Sequence, residues 1–155
     1  MGGPPASRGR PLAPRDDVTR KAIASLREML DTDAVTAAWE EALAAPQWHG
    51  PSVWTHGDLD PRNLLVTEGK LSGVIDLSGL GVGDPACDIA AGWKVLPAGA
   101  RDVFRAALSV DEPTWARSRG WVVTQAVMIL SYYTLETNAV LVLEARRWLG
   151  EVLGA

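Results

Sequence analysis

The stretch H56-G-D-L-D-P-R-N-L-L-V66 combines strong hydrogen-bonding side chains with turn-forming residues, and it leads directly into an apolar run. Gly, Asp, Pro and Asn all favour turns, so each of these residues taken alone has an ordinary structural explanation. Together, His56, Asp58 and Asn63 also offer a proton acceptor and oxygen ligands at fixed spacing. The stretch therefore predicts either a plain turn or a loop that carries chemistry.

Two short apolar runs after this stretch predict a β-hairpin. They are L64-L-V-T67 and L71-S-G-V-I-D76, with Glu68-Gly69-Lys70 between them. If the turn centres on Gly69 and Lys70, the numbers of paired residues sum to about 139, which sets Asn63 opposite Asp76 at the open end of the ladder. The hairpin then brings an amide oxygen and a carboxylate together beside Asp58. Such hard oxygen ligands are those that Mg²⁺ takes together with phosphate oxygens.

The rest of the chain predicts mainly helices. Apolar residues recur at three- to four-residue spacing over residues 17–30, 34–45, 86–96 and 101–108, and over about 113–133 and 138–153. V53-W-T55 predicts a short strand, and Asp33 and Asp84 are candidate helix N-caps. The expected class is α+β with helices dominant. We expect a linker or loop over residues 1–16, which are rich in Gly, Pro and Arg, and one domain over residues 17–155.

Composition excludes several classes of protein. The 155 residues are 47% hydrophobic, which suits one folded domain, and the net charge of −4 argues against a nucleic-acid partner. Cys87 is the only cysteine, so neither an intrachain disulfide nor a cysteine-rich metal site can form. No apolar run reaches the roughly 18 residues of a membrane span, and the start lacks the apolar core of a signal peptide. We expect a cytoplasmic protein without a membrane partner.

The spacing H56-x-D58-L59-x-x-x-N63 matches the catalytic loop of protein kinases, in which the Asp accepts the substrate hydroxyl proton and the Asn binds Mg²⁺. Asp76 stands where a second Mg²⁺-binding Asp follows a hairpin. With G73-V-I-D-L-S-G-L-G-V-G-D-P-A-C-D-I-A90, the stretch closely resembles the aminoglycoside phosphotransferase family. Those kinase-like enzymes move the γ-phosphate of ATP, or sometimes GTP, onto a hydroxyl of a small molecule.

The resemblance implies the C-terminal lobe of a protein-kinase-like fold and a role for each site residue. Asp58 and His56 are the catalytic-loop residues, with Asp58 the proton acceptor and His56 expected to hold the loop by hydrogen bonds. Asn63 and Asp76 are the expected ligands of Mg²⁺ and, through it, of ATP. Structural support is expected from two further acids, the N-cap Asp84 and the loop anchor Asp88.

Substrate and biological role follow from the resemblance only in outline. Acidic side chains among the C-terminal helices suit cationic aminosugars, and the candidates are Glu136, Asp111 and Glu112. Macrolides, choline-like alcohols and sugars stay open as substrates. Antibiotic resistance is the role that an aminoglycoside substrate suggests.

The sequence also departs from the family. Asp60 stands where many relatives have His, Arg62 where they have Gly, and Leu77 where an aromatic residue is common. These changes leave the three main roles intact but affect the positioning of metal and phosphate.

A larger departure concerns the lobe that covers the nucleotide in kinase-like enzymes, with its Gly-rich loop and strand Lys. The residues before His56 predict linker and helices, and Lys21, Lys70 and Lys94 lie outside strands. We therefore expect the C-terminal lobe alone, with the missing lobe supplied in cis or by an unknown partner, and little catalysis without it. The alternative is a non-catalytic remnant or binding module that keeps the lobe.

Three other patterns have structural explanations. Cys87 lies early in a helix without a nearby His, which favours a buried small residue over a nucleophile. Trp39, Trp93, Trp121 and Trp148 fall in amphipathic helices and are expected in the core. The segment G81-V-G-D-P-A86 fits a dinucleotide-binding fingerprint, but a hairpin precedes it and no second strand with a terminal acid follows. We reject that reading.

Overall fold

The structure, a computed structural model, describes residues 9–154. Within these residues there are seven α-helices and four short β-strands. In chain order they are α1 (Asp16–Ser25), α2 (Thr32–Ala44), β1 (Val53–Thr55), β2 (Leu64–Thr67), β3 (Lys70–Val74), β4 (Gly81–Gly83), α3 (Ala86–Ile89), α4 (Ala91–Lys94), α5 (Ala98–Ala107), α6 (Glu112–Tyr132) and α7 (Leu135–Leu153). The predicted class, mostly helical α+β, is confirmed.

The core forms around α6, which contacts α1, α2, α3, α4 and α7. Its residues Val122, Val123 and Ala126 are fully buried, because neighbouring helices pack against α6 from several sides. Gly120 lets α2 approach α6 closely. A Cβ added at this glycine would lie only 2.6 Å from the Cβ of Ala42.

The core also contains the four helical tryptophans, as predicted. Trp39, Trp121 and Trp148 are at most 1% exposed and Trp93 is 8% exposed. The rings of Trp93 and Trp115 lie 4.6 Å apart between their centroids. The tryptophans therefore stabilise the helical packing.

The strands form two separate antiparallel pairs, β1 with β4 and β2 with β3. A 3₁₀ turn over Leu77–Gly79 leads from β3 towards β4. β4 is antiparallel to its neighbour, whereas a dinucleotide-binding fingerprint follows a strand of a parallel sheet.

The hairpin turn is formed by Glu68 and Gly69, one residue before the predicted centre. Both have a left-handed backbone, with φ of 51° and 74°, and Thr67 pairs with Lys70 across the turn. Positive φ at both central residues is typical of a type I′ turn, whose twist matches that of the two strands.

Several helix ends differ from the predicted ones. The N-cap of α2 is Asp31 rather than Asp33, because the Asp31 carboxylate accepts a hydrogen bond from the backbone N–H of Ala34 at 3.0 Å. The predicted helix over residues 86–96 forms as two short helices, α3 and α4. Within α7, Asn138 has a non-helical backbone, and its side chain accepts from the N–H of Leu141 at 3.1 Å, so regular helix resumes beyond it.

The described part of the predicted linker packs against the domain. Leu12 is 4% exposed within the core, and the carbonyl oxygen of Gly9 accepts a hydrogen bond from the N–H of Asp84 at 2.8 Å. Residues 1–8 of that predicted linker lie outside the described residues. No helix within residues 9–154 has both the length and the apolar character that a membrane crossing requires.

Candidate functional site

The loop that follows β1 is fixed by hydrogen bonds to a side chain of α3. The two carboxylate oxygens of Asp88 accept hydrogen bonds from the backbone N–H groups of His56 and Gly57, each at 2.7 Å. Gly57 has a φ of 80°, which glycine adopts without steric cost. Asp88 therefore lies where it can fix the backbone of the loop, the anchoring position expected from the sequence.

His56 connects this loop to the end of the hairpin. Its Nδ1 lies 3.2 Å from the backbone N–H of Asp58, and its Nε2 lies 2.8 Å from the carbonyl oxygen of Ile75. An N–H needs an acceptor and a carbonyl needs a donor, so the network assigns the neutral tautomer with the proton on Nε2. The ring is 8% exposed, which suits a positioning role.

The hairpin brings Asn63 and Asp76 to the same end of the ladder, as predicted, but with the register shifted by one residue. Ile75, rather than Asp76, pairs with Asn63, since the N–H of Ile75 donates to the carbonyl oxygen of Asn63 at 2.9 Å. An irregularity between Leu65 and Val66 changes the register along β2. Asp76 therefore lies just past the end of the ladder.

Asn63 and Asp76 offer oxygen ligands from fixed positions. The amide nitrogen of Asn63 donates to the carbonyl oxygen of Asp58 at 2.9 Å, which leaves the amide oxygen as the group that can bind a cation. Asp76 has a left-handed backbone, with φ 60° and ψ 69°, and its carboxylate accepts from the Ser78 hydroxyl at 2.6 Å. Strained backbone at such a residue is common in functional sites.

The donor set fits Mg²⁺ better than a transition metal. No group of three His, Cys, Asp or Glu residues that could hold a metal occurs within residues 9–154. One carboxylate and one amide oxygen are hard ligands, and Mg²⁺ commonly takes one or two of these from a protein and the rest from phosphates and water. Asn63 and Asp76 are therefore suitable for a magnesium–phosphate complex.

Asp84 has a structural role that the sequence analysis assigned only in part. The N-cap of α3 is Pro85 rather than the predicted Asp84, although Asp84 Oδ1 accepts from the N–H of Ala86 at 2.9 Å. Its carboxylate also pairs with Arg117 of α6, at 2.7 Å to the arginine Nε and 3.3 Å to an Nη, and both side chains are buried. We missed Arg117, although a charge within an apolar helix is a sequence signal of a buried ion pair.

A cavity of about 260 Å³ opens beside Asp58. Its wall combines charged and polar residues from the segment before α1, from the loop and from α6 with apolar residues of α6 and α7. The lining residues are Arg15, Asp58, Asp60, Arg62, Gln125, Met128, Ile129, Leu141 and Trp148. Of these residues, only Asp58 was predicted as a site residue from the sequence. Asp60 and Arg62 were noted as positions that differ from the family pattern, and the others were not predicted to bind a ligand. Because they come from four distant parts of the chain, only the folded structure brings them together.

The three acids proposed for substrate binding do not line this cavity. Asp111 caps α6 through the N–H of Thr114 at 2.8 Å, and the Thr114 hydrogen bond lowers the pKa of Asp111. Glu112 pairs with Arg105 at 2.6 Å. Both lie at the start of α6, roughly 20 Å along the helix from Gln125 at a rise of about 1.5 Å per residue.

Glu136, the third acid, is exposed in the first turn of α7, where a hydrogen bond with Thr134 lowers its pKa.

Cys87 is fully buried, and burial raises the pKa of its thiol to about 12. A thiol in that state is a poor nucleophile. This agrees with the structural explanation that its sequence context favoured.

Comparison with known proteins gives a family match and partial relatives. The model of a phosphotransferase enzyme family matches residues 1–121. Aminoglycoside 3'-phosphotransferases of Escherichia coli and of Salmonella typhimurium are each 39% identical over 62 residues, which are 40% of this chain and 23% of the relative. The aligned part thus spans under a quarter of those relatives. No solved structure matches significantly. The family match extends over most of the chain and includes the loop, the hairpin and α3, so the chain belongs to the phosphotransferase enzyme family.

Proposed function

We propose that this chain is the C-terminal lobe of a kinase-like phosphotransferase that moves the γ-phosphate of ATP, or of GTP, onto a hydroxyl of a small molecule. The observation that carries the proposal is the connection of three groups by one hydrogen-bond network. Asp58 bonds through its backbone to His56 and Asn63, and His56 bonds to the residue before Asp76. A turn with only a structural role would not require hydrogen bonds that connect a proton acceptor to the segments carrying two cation ligands.

In the proposed mechanism Asp58 accepts the proton of the substrate hydroxyl, which the adjacent cavity holds. Asn63 and Asp76 would hold Mg²⁺, which supplies charge neutralisation to the phosphates when it is bound. His56 and Asp88 keep these groups in position. Phosphoryl transfer depends mostly on positioning and electrostatics, so residues of this kind are those that the reaction requires.

The nucleotide is proposed to lie on the hairpin, under a lobe supplied in cis or by a partner. Leu65, Val66 and Leu71 of the hairpin are all exposed. Apolar side chains exposed together in this way suit a surface that a ligand or another lobe covers. Without that cover we expect residues 9–154 to bind a magnesium nucleotide weakly and to transfer little phosphate.

Aminoglycosides are proposed as substrates only because two partial relatives are named aminoglycoside 3'-phosphotransferases. They form the first panel of compounds to be assayed as phosphate acceptors. A role in antibiotic resistance is proposed on the same basis, and a cytoplasmic location is proposed from the sequence composition. The second candidate function is a binding module that keeps the lobe without the reaction. The exposed hairpin favours it for the 155-residue chain taken alone.

The test uses the protein at the length that its own cells produce, which affinity capture and intact mass establish. Transfer from γ-labelled ATP to the panel is compared for wild type, Asp58→Asn and a control, Asp102→Asn, whose carboxylate is exposed on α5. We expect Asp58→Asn to lower the rate about 10²- to 10⁴-fold and to leave nucleotide binding unchanged.

Binding of Mn²⁺, a paramagnetic substitute for Mg²⁺, is measured with ADP present. Asn63→Ala and Asp76→Ala should each weaken it. A wild-type protein that binds the metal nucleotide but transfers no phosphate to either aminoglycosides or hydroxylated acids would establish the binding module, and transfer that survives Asp58→Asn would refute the role of Asp58.

A further inference from the structure

The cavity beside Asp58 contains an arginine that a buried carboxylate holds in place. Arg62 donates to Asp60 through Nε at 3.1 Å and through Nη2 at 2.6 Å, and Asp60 is only 1% exposed. This bidentate geometry fixes the guanidinium plane and leaves Nη1 for another partner. Asp60 raises the pKa of Arg62, with smaller contributions from Asp58 and Glu144. Arg62 is therefore a constant positive charge in the wall.

Each carboxylate in or near the cavity wall already has another role, so none is left to bind a cationic substrate. Asp58 is the proposed proton acceptor, and the carboxylate of Asp60 is already paired with Arg62. Glu144, nearby on α7, accepts from the indole N–H of Trp148 at 3.1 Å and pairs with Arg147 at 2.7 Å. Arg15 adds a second guanidinium to the lining. An ammonium group would thus meet Arg62, and the only carboxylate it could approach is Asp58, the proposed proton acceptor.

Gln125 adds a donor whose orientation a buried lysine determines. The ammonium of Lys94, which is fully buried, donates to Gln125 Oε1 at 3.1 Å. A lysine ammonium can only donate, so the amide oxygen must face Lys94 and the amide nitrogen must face away from it. Lys94 does not line the cavity, whereas Gln125 does.

The amide nitrogen of Gln125 is buried and has no hydrogen-bond partner among residues 9–154. A buried donor without an acceptor costs about 1–3 kcal/mol. A ligand oxygen at the base of the cavity removes that cost. The lining also has an apolar part, to which Met128, Ile129, Leu141 and Trp148 contribute.

We infer that the substrate held in this cavity has an anionic oxygen group, such as a carboxylate, bound by Arg62 and Gln125, and an apolar body against the α6–α7 wall. The inference rests on the proposed function for the hydroxyl that faces Asp58. It assigns the substrate class to hydroxylated acids rather than to polycationic aminosugars. Arg62 and Gln125 then act as specificity residues beside the proton acceptor.

Three probes that share a phenyl group and a pyranose ring, and differ in charge, test this class. They are phenyl β-D-glucuronide, phenyl β-D-glucoside and phenyl β-D-glucosaminide. Binding to the full 155-residue chain is followed by NMR, through the backbone amide resonances of the cavity-lining residues Met128 and Leu141, without nucleotide or metal. We expect the glucuronide to bind about tenfold tighter than the other two, the effect of one charge-assisted contact of roughly 1.4 kcal/mol.

Gln125→Glu supplies the decisive variant, because a carboxylate of nearly the same shape can still accept from Lys94. It should abolish the preference for the glucuronide and raise affinity for the glucosaminide. Arg62→Gln should weaken the glucuronide alone. The matched control is Gln47→Glu, the same chemical change in an exposed loop that borders a different cavity.

Equal or tighter binding of the glucosaminide by the wild type overturns the inference, and so does failure of all three probes to bind at millimolar concentration. A preference that Gln125→Glu leaves intact also overturns it. Because these measurements involve no phosphoryl transfer, loss of the proposed reaction alone leaves the expected preference in place. The two failures are therefore distinguishable.

Discussion

The imidazole Nε2 of His56 lies 2.8 Å from the carbonyl oxygen of Ile75, the residue that precedes Asp76. The other ring nitrogen accepts from the backbone N–H of Asp58 at 3.2 Å. One side chain thus sets the spacing between the proposed proton acceptor and a proposed metal ligand.

His56→Phe keeps most of the ring volume and removes both hydrogen bonds. Because partners of this kind orient ligands, we expect about 10- to 100-fold weaker Mn²⁺ binding in the presence of ADP. Proton relaxation enhancement measures that affinity. The control is His49→Phe, at an exposed loop position. Unchanged metal affinity in His56→Phe would show that the ring only fills space.

Asp88→Asn should loosen the loop at its base. The amide can replace only one of the two charge-assisted acceptors that His56 N–H and Gly57 N–H now have, so we expect a loss of about 1–3 kcal/mol in the free energy of unfolding. Urea denaturation measures the loss, and hydrogen exchange should be faster at these two amides than elsewhere. Asp102→Asn serves as control, and equal exchange in both variants would contradict the anchoring role.

The buried pair of Asp84 and Arg117 should be costly to break from one side. Asp84→Asn leaves the arginine charge buried without its carboxylate, for which we expect a loss of about 3–5 kcal/mol in the free energy of unfolding. The double variant Asp84→Asn/Arg117→Met should recover part of that loss, because no unpaired charge remains. A double-mutant cycle by urea denaturation measures the coupling, and strictly additive losses would argue against it.

Cys87 should make the protein less stable at alkaline pH. Burial raises the pKa of the thiol from 9.0 to about 12, so above pH 9 the unfolded state releases a proton that the folded state retains. The stabilisation is complete below pH 9 and declines as pH rises towards 12, by about 1.4 kcal/mol per pH unit.

Cys87→Ala removes this dependence together with the thiol, at a packing cost that is independent of pH. The difference in unfolding free energy between wild type and Cys87→Ala should therefore decrease between pH 8 and pH 10.5. A constant difference over that range would mean that the thiol ionises alike in both states.

We expect that a substitution at Glu68 can increase the stability of the protein. Its φ of 51° is unfavourable for glutamate and better tolerated by asparagine, and Gly69 follows it in the turn. We expect Glu68→Asn to raise the free energy of unfolding by about 0.5–1 kcal/mol and Gly69→Ala to lower it by at least as much. Thermal unfolding followed by circular dichroism measures both. Opposite signs would mean that the turn has another geometry.

The local features of this protein were predictable because neighbouring residues cause them. Spacing alone identified the loop around Asp58, the hairpin after it and the helical character of the rest. The turn at Glu68-Gly69 was missed by one residue, since its type depends on the twist of the strands and not on the glycine alone. The true N-cap, Asp31, was missed because Asp31 and Asp33 are both capable caps and only the chain path selects one.

Three features depend on tertiary structure. The ion pair between Asp84 and Arg117 joins residues 33 positions apart, and no local pattern links them. The cavity wall is drawn from four distant segments, so no local pattern predicted that Arg15 and Gln125 lie beside Asp58. Asp111 and Glu112 were proposed for substrate binding from the family resemblance and their charge, whereas the length of α6 separates them from Gln125 in the cavity wall. Local hydrogen bonding and hydrophobic periodicity thus determined the loop and the elements, and the packing of α6 and α7 decided which side chains meet.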